Sequence, residues 1–266
     1  MILMALSLPG FAMAEDAVTA TPAVTANIAL VSNYLYRGIS QTGGKPALQG
    51  GFDYAHASGF YAGVWGSSIS WLSDAYTASA MANAPGGATA GANNSGVELD
   101  TYVGFKNSFA TDFSYDAGFL RYNYPGTYPA GATKGDTNEV YGQLGYKWVT
   151  AKYSYSLGNT FGVPDARGTS YIDLSANYPV ADSGITLGAH YGRQEYKGSS
   201  AAFIAAGGQI ASYADYKLSI SKDFSGYLIG LAYSKTNAAT NPGAFYTVLD
   251  NQLGKSTAVL SVARTF

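Results

Sequence analysis

Between residues 97 and 106 apolar and polar positions alternate. Val97, Leu99, Thr101, Val103 and Phe105 fall on one side; Glu98, Asp100, Tyr102, Gly104 and Lys106 fall on the other. The same alternation returns at 139–148, where Val140, Leu144, Tyr146 and Trp148 interleave with Glu139, Tyr141, Gln143 and Lys147. At 171–178 Ile172, Leu174, Ala176 and Tyr178 alternate with Tyr171, Asp173, Ser175 and Asn177, and at 215–221 Tyr216, Leu218 and Ile220 alternate with Asp215, Lys217, Ser219 and Ser221. Successive strand side chains point to opposite faces, so each segment is read as a strand with one oily and one polar face.

Extended along the chain, the pattern predicts about twelve strands, an even number as in single-chain membrane barrels. Their spans are 24–36, 47–56, 60–69, 97–106, 113–123, 138–148, 151–159, 169–178, 185–193, 213–222, 227–236 and 255–266. Alternation is weak at 60–69 and 113–123, whose facing stays open at this point.

The connections are sorted by length. Ala57–Gly59, Asn107–Asp112, Val149–Thr150, Pro179–Gly184 and Asp223–Ser225 are short; Arg37–Pro46, Ser70–Gly96, Tyr124–Thr137, Thr160–Gly168, Gln194–Ser212 and Asn237–Gly254, which separate them, are long. Membrane barrels have short periplasmic turns and long outer loops. With the first strand rising outward, every long connection lands outside and both chain ends lie in the periplasm. The stretch Ser79–Ser95 is Ala, Gly, Ser and Asn rich and reads as a solvated loop.

Lipid explains why the oily faces need no partner sheet. Every backbone polar group in a bilayer must be bonded internally, and a closed barrel does this without a free edge. Slipping strand 213–222 by one residue would turn Asp215 and Lys217 into the lipid. A Lys at the bilayer midplane costs about 2–4 kcal/mol, so the register should be locked. Tyr146, Trp148, Tyr178 and Tyr227 lie beside short turns, where aromatic rings favour the headgroup layer.

Composition narrows the classes. A chain of 266 residues suits one undivided all-β domain. Charged residues are only 12%, low for a soluble surface, while 23 Tyr, 12 Phe and 33 Gly favour strands over helices. A net charge of −2 gives no reason to expect nucleic acid as a partner. With no Cys, a disulfide, a thiolate metal site and a Cys nucleophile are ruled out. With only two His as well, neither a transition metal nor any other cofactor is expected.

The first residues, MILMALSLPGFAMA, have a short apolar core, a Pro-Gly break and Ala12-Met13-Ala14 before Glu15-Asp16. This is a secretory signal pattern. The expected division is a signal peptide at 1–14, a leader at 15–23 and an antiparallel up-and-down transmembrane barrel at 24–266. After Ala14 no apolar run reaches the roughly 18 residues of a membrane helix. The chain ends STAVLSVARTF. Phe266 with Val262 and Leu260 at even spacing resembles the C-terminal assembly signal of outer-membrane proteins, which implies periplasmic chaperones and the barrel-assembly machinery as partners during biogenesis.

The stretch Ser32–Ser67 carries Ser32-Asn33-Tyr34 with Tyr36-Arg37-Gly38, then Gln41, Pro46 and Gln49-Gly50-Gly51. Further on come Glu98-Leu99-Asp100 with Tyr102 and Gly104, and Tyr124-Pro125-Gly126. These residues resemble the TorF family of proteobacterial porins over nearly all of the mature chain. The resemblance implies a bacterial outer-membrane barrel with a channel role, and it brings no catalytic residues.

In the channel reading the polar strand faces line a lumen. The candidate pore-lining residues are Gln49, Asp53, Glu98, Asp100, Lys106, Asp116, Glu139, Gln143, Lys147, Lys152, Asp173, His190, Asp215 and Lys217. Carboxylates outnumber amines among them, which favours cations among the small solutes and ions carried. Eight strands give a filled barrel and 16–18 an open one, so about twelve implies a narrow or loop-occluded pore. A non-conducting barrel acting as scaffold or enzyme, and a soluble periplasmic β-sandwich, are the alternatives. For the enzyme, His56-Ala57-Ser58 resembles the H-x-S of outer-membrane phospholipases, but it sits at a short turn without the third group a serine hydrolase needs.

Overall fold

The computed structural model describes residues 23–75, 93–130, 132–239 and 241–266. The expected signal segment 1–14, the leader up to residue 22 and most of the Ser79–Ser95 stretch lie outside the described residues.

The alternating segments form twelve barrel strands: β1 (Ala23–Val31), β2 (Ala47–Ala55), β3 (Phe60–Ser68), β4 (Val97–Phe109), β5 (Phe113–Asn123), β6 (Thr137–Tyr146), β7 (Val149–Ser156), β8 (Ser170–Val180), β9 (Ile185–Glu195), β10 (Tyr213–Phe224), β11 (Tyr227–Thr236) and β12 (Thr257–Thr265). Neighbours pair antiparallel in chain order, and β12 pairs with β1 from Asn27↔Thr265 to Val31↔Ser261, closing the barrel. Ala26 and Phe266 exchange backbone hydrogen bonds in both directions at the seam, of 3.1 and 2.8 Å.

The two faces separate as the alternation requires. Leu218 and Leu231 on the outer wall are 66% and 51% exposed, whereas Glu98, Asp100 and Glu139 on the inner wall are at most 1% exposed. The core is therefore the barrel interior, and the greasy residues form its outside. β3 and β5 alternate poorly because their inner positions are themselves aromatic or apolar. Tyr61, Trp65, Leu120 and Tyr122 face inward with Ser67 and Asp116. Inward glycines make room for inward rings on the neighbouring strands. Gly63 lies opposite Tyr102, Gly104 opposite Tyr61 and Gly118 opposite Tyr141, and a Cβ on any of the three would strike the facing ring.

Several boundaries differ from the sequence reading. β1 stops at Val31 rather than at 36, because Leu35–Tyr36 pairs with Ile39–Ser40 in a hairpin of its own. β4, β8 and β10 run two or three residues further toward the short turns, whose polar residues continue the ladder. The turn between β6 and β7 is Lys147-Trp148, with Tyr146 paired to Val149, instead of Val149-Thr150. Two long connections hold helix that alternation could not show: residues 71–75, and α1 (Ser199–Ala206) between β9 and β10.

Candidate functional site

Thirteen of the fourteen sequence-predicted lumen residues sit on inner strand faces; Lys147 does not. It occupies the β6–β7 turn at φ +51°, half-exposed, with Nζ 3.8 Å from Asp112 Oδ2. The residue that reads as the last inward step of a strand is the corner of a two-residue turn.

The other residues gather in several clusters on the inner wall. Toward the short turns, Tyr102 donates to Asp53 Oδ1 at 2.5 Å and Tyr61 to Asp116 Oδ1 at 2.6 Å, with Tyr141 bonded to the Tyr61 hydroxyl. Lys106 on β4 lies opposite Asp116 and Lys152 on β7 opposite Gln143 and Asp173. The Lys152 ammonium stands 3.9 Å from the Tyr141 ring centre. On the facing wall His190 bridges two carboxylates, with Nε2 2.9 Å from Asp215 Oδ2 and Nδ1 3.3 Å from Asp173 Oδ1. Tyr171 donates to the other Asp215 oxygen at 2.8 Å. Lys217 lies opposite His190, and Gln49 donates to Ser67 at 3.2 Å.

The centre of the site was not among the sequence candidates. The hairpin 35–40 folds from the first long connection into the lumen, with Arg37 and Gly38 at its tip, both at positive φ (+48° and +77°). Positive φ at both central residues is the geometry of tight hairpin turns. Glycine adopts it freely, while Arg37 is held there by its contacts. Its guanidinium donates to Glu139 Oε2 on β6 at 2.7 Å and to Gln194 Oε1 on β9 at 2.8 Å. It also packs against the rings of Tyr171 and Tyr36, at 4.3 and 4.8 Å. Gly38 touches the far wall, where a Cβ would lie 2.7 Å from Asp215 Cβ and Thr236 Cγ2.

The hairpin thus crosses the barrel and is fastened on both sides. Tyr34 donates to Glu98 at 2.9 Å, the Tyr36 and Tyr122 hydroxyls bond at 2.7 Å, and Ser40 N donates to Leu253 O at 2.9 Å. Phe161, from the β7–β8 connection, stacks edge-on against both Tyr36 and Tyr122. Beside the hairpin, Glu98 Oε2, both oxygens of Asp100 and Glu139 Oε1 are buried without a hydrogen-bond partner among the described residues. The sequence did carry a trace of the hairpin. Arg-Gly between Tyr36 and Ile39 fits a two-residue turn, but alternation at Tyr34 and Tyr36 read as the end of a strand.

The remaining predicted residues are at the surface. Leu260 and Val262 lie on the outer wall of β12 and Phe266 directly follows its end, 54%, 40% and 67% exposed. In the exposed turn at 56–59, His56 Nδ1 and Ser58 Oγ are 2.8 Å apart, and the turn itself holds no carboxylate.

The barrel is similar to solved outer-membrane channels. Against the TodX ΔS2S3 mutant, a monoaromatic hydrocarbon channel, the TM-score is 0.52 at 9% identity, covering 93% of this chain and 90% of that one. The KdgM porin, solved with disordered oligogalacturonate, gives 0.47 at 8% identity, covering 91% and 97%. The outer membrane protein OprD from Pseudomonas aeruginosa gives 0.36 at 12%, covering 91% and 64%. No curated protein matches the chain. The Gcw_chp family, described as a bacterial protein of unknown function, matches residues 15–266, and the chain belongs to that family.

Proposed function

We propose that this chain is a porin-like channel of the bacterial outer membrane, of the TorF type it resembles, in which the hairpin 35–40 forms the constriction. The observation that carries the reading is a closed barrel with a greasy outside and a charged inside, crossed by a hairpin fastened to its inner wall. Small solutes and ions pass where the hairpin yields or leaves room. The inward side chains named above, Lys147 excepted, line the path. Carboxylates outnumber cations along it, and four carboxylate oxygens beside the hairpin, on Glu98, Asp100 and Glu139, have no hydrogen-bond partner among the described residues, so the channel favours cations. Export through residues 1–14, chaperone escort and recognition of the Leu260, Val262 and Phe266 stripe by the assembly machinery complete the proposal.

Planar-bilayer recording of the folded, heat-modifiable protein tests it. Small current steps are expected, with a reversal potential under a KCl gradient of the sign set by K⁺. Folded protein that inserts without producing steps would leave the scaffold reading in place of the channel.

A further inference from the structure

Along the middle of the outer wall of β4, β5 and β6 the outward side chains are Val103, Ala117, Phe119 and Val140, none of them charged. Toward the long-loop end the pattern breaks. Arg121 stands on the outward face of β5, opposite Thr101 on β4 and Asn138 on β6, between the inward-facing Leu120 and Tyr122. A cation on a lipid-facing wall is tolerated where its head reaches the polar layer.

Arg121 is also held in place. Nε donates to Asn123 Oδ1 at 2.6 Å, and the two terminal nitrogens donate to Asn138 Oδ1 at 3.1 Å and Asp136 Oδ2 at 3.4 Å. The other Asp136 oxygen accepts from Tyr124 N at 3.0 Å, which ties the β5–β6 connection to the same point. With 41% of its side chain still exposed, the guanidinium is oriented and open on one side. Lys134 lies in the same connection, its ammonium 5.6 Å from the Tyr128 ring centre. Leu99, Thr101, Arg121, Pro125, Lys134 and Asp136 line a groove of about 430 Å³ that opens on the outer wall.

We infer that this groove docks the headgroup of a phosphorylated glycolipid in the surrounding leaflet. Two cations against one carboxylate leave a positive site where the apolar wall meets the polar loops. A fixed, planar guanidinium and a long-stemmed ammonium suit a phosphate, the first by paired hydrogen bonds and the second as a point charge. Asp136, Asn123 and Thr101 offer partners to sugar hydroxyls. Val97, Leu99 and Val103, all 44–48% exposed, run down the wall as a seat for acyl chains. A free anion would make no use of that greasy seat. The inference rests on the barrel's spanning an outer membrane with its long loops outward, and is independent of conduction.

Native mass spectrometry of the detergent-folded barrel tests it, with bisphosphorylated lipid A, its dephosphorylated form and inorganic phosphate as probes. The variants are R121Q/K134Q, K134Q alone, which leaves the Arg121 network intact, and K235Q, which removes an outward cation at the same end of β11. Wild type and K235Q should hold the phosphorylated lipid about tenfold more tightly than the dephosphorylated one, a difference of about 1.4 kcal/mol. K134Q should lose part of that preference and the double variant all of it, with inorganic phosphate competing poorly. Equal retention of both lipids by wild type, an unchanged preference in the double variant, or ready displacement by inorganic phosphate would overturn the site. Failure of the wild-type chain to form a heat-modifiable barrel would instead overturn the membrane reading beneath it.

Discussion

Arg37 is the residue on which the interior closes. Its guanidinium joins Glu139 on β6 to Gln194 on β9, and all three side chains are nearly inaccessible to solvent. Replacing it with alanine leaves Glu139 buried without its cation, a loss of about 3–5 kcal/mol for a buried pair broken on one side. The hairpin should then detach, and Arg37→Ala channels should show larger current steps than wild type. Arg37→Lys should resemble the alanine variant more than wild type, since an ammonium cannot make the fork to two walls and stack between rings. Gly38→Ala tests the same latch from the far side. A side chain at φ +77° is strained, and this one meets Asp215 and Thr236. Faster backbone hydrogen exchange at residues 35–40 in Gly38→Ala than in wild type is the outcome to look for, and unchanged protection would show that the hairpin is not wedged there.

At the scale of the strand, register carries the stability argument. Leu218 stands near the middle of β10 on the outer wall and Ser219 beside it on the inner wall. Leu218→Arg should cost about 2–4 kcal/mol, the value for an arginine at the bilayer midplane. Ser219→Arg should cost much less, because its head enters a polar interior. Urea unfolding in lipid vesicles measures both, and equal costs would mean that the two faces see the same medium. Gly118→Leu should also destabilise the barrel, since the facing Tyr141 ring occupies the space of its side chain. Most strands were legible because a period of two survives wherever one wall is oily and the other polar. β3 and β5 were legible in extent but not in facing, because the rings of Tyr61, Trp65 and Tyr122, with Leu120, fill the interior and break the contrast between faces. Lys147 was misplaced by two residues of turn, which alternation does not register.

The whole molecule shows what no local pattern contains. Alternating connection lengths gave the topology, since short turns at one end and long loops at the other leave little else for a closed antiparallel sheet. The inward hairpin was hidden. Its fastenings join residues far apart in the chain, 102 positions from Arg37 to Glu139 and 157 to Gln194, and residues 32–36 continue the alternation of β1 well enough to read as strand. The central claim is that the outer wall is solvated by acyl chains while the inner wall encloses a polar path. The natural chain has no cysteine, so single cysteines along β10, from Tyr216 to Ser221, can each carry a spin label without background. In bilayers, oxygen accessibility should be high at 216, 218 and 220 and low at 217, 219 and 221. Accessibility without that two-residue period, or a chain that stays in water and never enters the bilayer, would contradict the account.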